Sequence, residues 1–359
     1  MRKAAFLFMS ILVMIYLVGG LHAEQPNYPT VTAGRIFAFP TDHGEHPEYR
    51  TEWWYVTGIL DEEDHRKLGF QVTFFRTRPL IDQSSQSAFA PKQIVFAHVA
   101  LSDATVGKLL HDQRTARTGF GLAEAKMGNT EVNIRDWVLK GVGMNKFSAT
   151  ISSKEFGLDL VFTPSQPILL QGEKGFSQKS PNAGDASYYY SIPQLQVSGV
   201  VTQNGAVKKV TGKAWLDHEW SSNYLSHEAV GWDWMGLNFN DGSALMAFRM
   251  RRRDGSALWA GGTFRKVDGS SITLGPKQIL FQMDRSWKSP HTAAIYPINQ
   301  TVTIVLPEGP REFSLTPLFE DQELDGRAGG LPVYWEGAVT TPGGQGYLEL
   351  TGYVDPLKL

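Results

Sequence analysis

No cysteine occurs among the 359 residues. Its absence excludes disulfides, thiolate metal sites and a lipid-modified N-terminal cysteine, so stability has to come from packing. An excess of either charge is missing too. The 34 lysines and arginines face 36 aspartates and glutamates, which leaves nothing to draw the chain to a phosphate backbone, and nucleic acid is set aside as a partner. Long segments with a 3.6-residue apolar period are scarce. Beyond the N-terminal residues no stretch is apolar enough to cross a bilayer, and no phosphate-cradling glycine loop, G-x-S-x-G elbow or H-E-x-x-H pair occurs. The common hydrolase and nucleotide-binding signatures are therefore missing.

The first 23 residues form a separate object. Arg2 and Lys3 precede an apolar run from Ala4 to Gly20, and Leu21-His22-Ala23 offers a small residue for cleavage. This pattern reads as an export signal over residues 1–23, which predicts a periplasmic or secreted protein. An uncleaved N-terminal anchor is the alternative.

What the chain does have is glycine (36) and proline (19), with short runs of Val, Ile, Phe, Tyr, Trp and Thr between turn signals. That is the pattern of all-β barrels and sandwiches. One set of candidate strands covers 53–60, 68–75, 94–101, 147–151, 158–163, 194–201 and 210–216. A second covers 231–239, 244–251, 257–265, 272–282, 301–306, 334–339 and 347–353. In the second set Asp-Gly-Ser recurs at 241–243, 254–256 and 268–270, which predicts hairpin turns in one antiparallel meander. The polar stretch from Ser221 to Glu228 divides the sets, giving two domains, 24–222 and 223–359. Residues 171–187 and 79–92 read as long loops, and 103–130 as a loop with a short helix.

Three aromatic-rich blocks carry chemistry. In EHPEYRTEWWYVTG (45–58), strand alternation puts Glu52, Trp54 and Val56 on one face and Trp53, Tyr55 and Thr57 on the other. In GKAWLDHEWSSN (212–223), His218 and Trp220 share a face, with Asp217 and Glu219 on the opposite one; an imidazole beside an indole can present a proton donor next to a π face. The bland alternative is a satisfied core histidine with solvated or ion-paired carboxylates. In Gly231-Trp232-Asp233-Trp234, an aspartate facing a barrel interior would be desolvated and held protonated as a general acid, unless Arg249 or Arg251 neutralises it. His43-Gly-Glu-His46 matches no helix-borne zinc spacing, and no metal or cofactor is predicted.

Taken in order, HPEYRTEWWYVTG, WLDHEW, GWDWMGLNF, VYWEG (333–337) and LTGY (350–353) resemble the carotenoid 1,2-hydratase family, whose exported bacterial members are labelled AttH-like or secreted hydrolases. The likeness spans nearly the whole chain after the first 23 residues. It implies two tandem lipocalin-like antiparallel barrels and a hydrophobic substrate. It also implies acid-catalysed hydration of an isoprenoid double bond, with His218, Trp220 and Asp233 as catalytic residues. The family's tyrosine two residues before that aspartate falls on Gly231, so one phenol of the expected site is absent.

The expected function is thus a cofactor-independent, exported hydratase-type enzyme acting on an isoprenoid or other lipid, with related lyase, isomerase or hydrolase chemistry open. Glu52, Trp54, Tyr224, Trp232 and Trp234 are expected to line the substrate site, and the protein to have some affinity for membrane surfaces. The alternative from another class is a periplasmic lipid-binding or lipid-transfer protein without catalysis.

Overall fold

A computed structural model describes residues 27–81, 87–143 and 145–357. The predicted export signal, residues 1–23, lies outside them. The described residues form an all-β protein of two large antiparallel sheets.

The first sheet holds β1 (Thr51–Glu62), β2 (Lys67–Thr77), β3 (Ile94–Asp103), β4 (Leu110–Arg117), β5 (Ala123–Ala125), β6 (Glu131–Ile134), β7 (Trp137–Val142), β8 (Lys146–Ser152), β9 (Phe156–Thr163), β10 (Leu169–Leu170), β11 (Phe176–Gln178), β12 (Ala186–Gln203) and β13 (Ala206–Asn223). Its order is β4-β3-β2-β1-β13-β12-β9-β8-β7-β6-β5, with β10 and β11 pairing β12. The sheet curls until β3 and β4 pack back against β5 and β6. The second sheet holds β14 (Gly231–Phe239), β15 (Ala244–Arg251), β16 (Ala257–Arg265), β17 (Ser271–Leu274), β18 (Ile279–Lys288), β19 (Ile295–Leu306), β20 (Gly309–Pro317), β21 (Glu323–Asp325), β22 (Val333–Thr341) and β23 (Gly344–Leu350). There β16 and β17 close against β18 and β19. These are two tandem lipocalin-like barrels, and their sheets part between Asn223 and Gly231.

The three Asp-Gly-Ser turns join β14 to β17 as hairpins. Gly242, Gly255 and Gly269 sit at φ of 89°, 83° and 86°, which a side chain would strain, and each Asp side chain caps the Ser backbone N–H at 2.9 Å. The segment 103–130 differs from its prediction: it contains β4 and β5, and no α-helix occurs among the described residues. In β4, LHDQRTAR, only Leu110 is buried and most side chains are polar, so it carries little apolar alternation to read. Likewise 171–187 is not one loop, since β11 and the start of β12 fall within it.

Alternation along β1 and β13 sorts side chains into two cores. Trp54, Val56, Leu216 and Trp220 fill the first barrel. Tyr55, Ile59 and Trp215 point outward, where they meet Trp234, Met246, Phe248 and Tyr347 on the outer face of the second barrel. The barrels thus share a third apolar core between them. Gly69 on β2 permits the close approach, because a Cβ there would lie 2.6 Å from the Tyr347 hydroxyl and 2.7 Å from the Ala338 Cβ.

Candidate active site between the barrels

The residues singled out in the sequence fall in three places. His218, Trp220, Glu52 and Trp54 lie inside the first barrel, each no more than 1% exposed. There Glu52 Oε1 is 2.8 Å from both His218 Nε2 and His46 Nδ1, while Arg76 clamps Oε2 at 3.0 Å. His46 also reaches Asp42 at 3.1 Å through Nε2 and stacks on Trp220 with ring centroids 3.7 Å apart. Trp54 stacks on His218 at 4.8 Å.

Proton bookkeeping follows from the partners. Burial opposes ionisation of Glu52, but Arg76, His218 and His46 prevail and hold the carboxyl well below its usual range. Burial likewise opposes ionisation of Asp42, yet hydrogen bonds from His46, the Ala38 N–H and Arg35 bring it down to about 2. Both carboxylates only accept, so both His46 nitrogens donate, and the two acids raise the His46 pKa against its burial. His218 donates from Nε2 to Glu52 and accepts at Nδ1 from Tyr190, 3.0 Å away, whose hydroxyl accepts in turn from His43 Nδ1 at 2.6 Å. Burial pushes His43 down to about 4 and lowers His218 as well. The donor atoms of His46, Glu52 and His218 lie within 4.8 Å of one another, a spacing that suits a small cation. A doubly protonated His46 has no lone pair to give one, so this donor set fits a hydrogen-bonded charge cluster better than a metal centre.

Asp233 goes elsewhere. It shares a face of β14 with Met235 and Leu237, inside the second barrel. There it accepts from Arg249 at 2.7 Å, from Arg251 at 2.8 Å and from the Tyr353 hydroxyl at 2.9 Å. The structure therefore does not bring Asp233 to His218, and the arginine-neutralised alternative describes its surroundings.

Tyr224, Trp232 and Trp234 lie in the third place, a cavity of about 290 Å³ between the barrels. Trp53, Tyr55 and Tyr334 add to its aromatic wall, and Glu52 and Arg76 adjoin it from within the first barrel. Four carboxyl groups enter this wall: Asp217 and Glu219 from β13, Glu336 from β22 and Glu349 from β23. Each stands on the outer face of its barrel, which the opposite barrel covers.

Burial pushes Asp217 up to about 7, against hydrogen bonds donated by Ser191 (2.5 Å), Tyr189 (2.7 Å) and Trp215 (2.6 Å). Trp234 Nε1 donates to the Tyr189 hydroxyl at 3.0 Å and so holds that relay in place. Burial also raises Glu219, opposed by the Lys179 ammonium 2.8 Å away and by the Ser187 hydroxyl. Glu336 and Glu349 are direct cross-strand partners. Burial together with the charge of Glu349 raises Glu336 well above the carboxylate range. Burial, then the charges of Asp217 and Glu219, raise Glu349 against a hydrogen bond from Trp232. The cavity thus sets carboxyl groups with raised pKa values beside aromatic faces.

Of these acids, Asp217 and Glu219 had a sequence signal, their place opposite His218 in the alternation. Glu336 stood in the VYWEG block without a role assigned. Glu349 had no signal of its own, since a lone glutamate in YLEL looks like any solvated strand residue.

A profile of the AttH-like family matches residues 30–353. The chain resembles the crystal structure of a protein described as AttH from Nitrosomonas europaea. The two are 49% identical, with a TM-score of 0.84 over 91% of this chain and 100% of that one. Kievitone hydratase from Nectria haematococca shares the fold at 13% identity and a TM-score of 0.68, over 91% of this chain and 96% of that one. CghA crystallised with Sch210972 shares it at 11% identity and a TM-score of 0.56, over 91% and 95%. No curated protein matches the chain. With the family profile covering nearly all of the described residues, the chain belongs to the AttH-like family.

Proposed function

We propose that the protein is a cofactor-independent enzyme of hydratase type, which adds water to a carbon–carbon double bond of a hydrophobic substrate held between the barrels. The observation that carries this is the pairing of Glu336 with Glu349 in an aromatic-lined cavity, where burial and mutual repulsion keep a proton on the pair.

The chemistry needs little else. A protonated carboxyl gives its proton to one alkene carbon; the π electrons form the new C–H bond and leave a carbocation on the neighbouring carbon. The faces of Trp53, Trp232 and Tyr224 are placed to stabilise that positive charge. Water then forms the C–O bond and returns its proton to the carboxylate, restoring the acid. Asp217, fed by the Tyr189 and Trp234 relay, is a second group able to give or take a proton near neutrality. The acid role expected of Asp233 passes to the Glu336–Glu349 pair in this scheme, and His218 becomes part of the scaffold beneath the cavity.

The test is incubation of the purified chain with a panel of olefinic isoprenoid and acyl lipids in water enriched in heavy oxygen, followed by mass spectrometry. Label in an alcohol product that is lost in both Glu336→Gln and Glu349→Gln supports the proposal; undiminished label in both overturns it. A lipid that co-purifies and is recovered unaltered after prolonged incubation favours binding without chemistry.

A further inference from the structure

The strand register brings several exposed apolar side chains to one end of the first barrel. Thr51 opens β1 opposite Thr77, Thr77 closes β2 opposite Ile94, and Ile94 opens β3 opposite Arg117 near the close of β4. The connections after Thr77 and after Arg117 therefore leave the same edge. On them Leu80 is 52% exposed, Ile81 39%, Phe89 76% and Phe120 61%. Phe89 and Phe120 come from different connections and stack on each other with centroids 5.5 Å apart.

Basic residues flank these side chains. Arg117 donates to the Ala88 and Phe89 carbonyls at 2.6 and 2.7 Å and lies 4.9 Å over the Phe120 ring. Arg78 lies 5.6 Å over the Tyr28 ring, whose hydroxyl donates to the Arg78 carbonyl at 2.7 Å. This contact holds Tyr28, near the start of the described residues, beside the same edge. The cavity reaches this edge as well: Arg50, Thr51 and Thr77 line it, and the Arg78 N–H bonds the Arg50 carbonyl at 2.8 Å.

We propose that this end of the first barrel docks on a phospholipid bilayer and sets the edge of the interbarrel cavity against the membrane. Stacked phenylalanines and aliphatic tips rimmed by arginines suit the boundary between acyl chains and anionic headgroups, where the rings bury apolar area and the guanidinium groups meet phosphate. A hydrophobic compound dissolved in the bilayer would then reach the cavity without crossing water. The docking stands apart from the chemistry proposed above, and its test reads no turnover.

Because the chain has no cysteine, single labels can be placed without background. A nitroxide at Phe120→Cys reports the proposed surface. One at Val207→Cys, 66% exposed near the start of β13 at the opposite end of the barrel, is the control. The full chain is mixed with phosphatidylcholine vesicles containing phosphatidylglycerol. The label at position 120 is expected to lose accessibility to a water-soluble relaxant and gain accessibility to oxygen, with position 207 unchanged. Equal aqueous accessibility of the two labels overturns the proposal, including the case where the N-terminal segment alone tethers the protein. A double variant, Leu80→Ser with Phe89→Ser, should weaken vesicle partitioning of the labelled surface by about tenfold or more. Unchanged partitioning with both serines present overturns it too.

Discussion

Glu336 and Glu349 face each other directly across two paired antiparallel strands, with the interbarrel cavity in front of both. Two ionised carboxylates in such a position repel, so one of them keeps its proton. Glu349→Gln removes the repulsion and one of the two carboxyl groups of the pair. It should raise the urea midpoint at about pH 8, by about 1 kcal/mol in stability, while cutting any hydration rate by about 100-fold or more. A variant that is less stable and fully active would refute the pairing.

The contribution of Asp217 to stability should fall as pH rises toward neutrality. The folded Asp217 has its pKa raised from 3.8 to about 7, so the native state holds this proton more tightly than the unfolded chain does. Its contribution is complete below the unfolded value and is lost as pH climbs through the folded one. Asp42 acts with the opposite sign: lowered to about 2, it contributes above the unfolded value and is lost as pH falls. Taken together, these two groups favour the native state most near about pH 4, where their windows meet. Asp217→Asn should remove this loss between about pH 4 and about pH 7 and leave the acid limb in place.

Glu52→Gln should act on folding before it acts on function. It leaves the fully buried Arg76 and the doubly protonated His46 without their shared counter-charge, and breaking a buried pair in this way costs about 3–5 kcal/mol. Equilibrium denaturation gives the number directly. A loss under about 1 kcal/mol would mean that the cluster is not the scaffold its geometry suggests.

Asp233→Asn tests the separation of the two barrels. The substitution strands Arg249 and Arg251, and a loss of about 3 kcal/mol or more is expected. Turnover per folded molecule should be unaffected, because the carboxylate points away from the cavity. A folded, stable and inactive variant would return the acid role to Asp233.

Much of the architecture is legible in local chemistry. The Asp-Gly-Ser repeats specify hairpins because glycine alone takes the left-handed φ at no cost while the aspartate caps the turn. Period 2 placed Trp54 with Glu52 and His218 with Trp220 without any tertiary information, and these four meet in one barrel. The strand β4 was not legible, because its polar side chains leave no apolar alternation. Nor was the partnership of Asp233, where two arginines 16 and 18 residues downstream compete with the barrel interior for control of one carboxyl.

The sequence by itself determined most strands of the two sets, the Asp-Gly-Ser turns and which side chains share a face, since each of these depends on neighbours a few residues apart. The tertiary structure alone decided what each face looks at. Asp217 and Glu219 stand outside the first barrel and Glu336 and Glu349 outside the second, positions that would be solvated on either domain alone. Packing one barrel against the other takes the water from both faces at once. That removal of water, which no local pattern encodes, turns four ordinary outward carboxylates into a buried acid site.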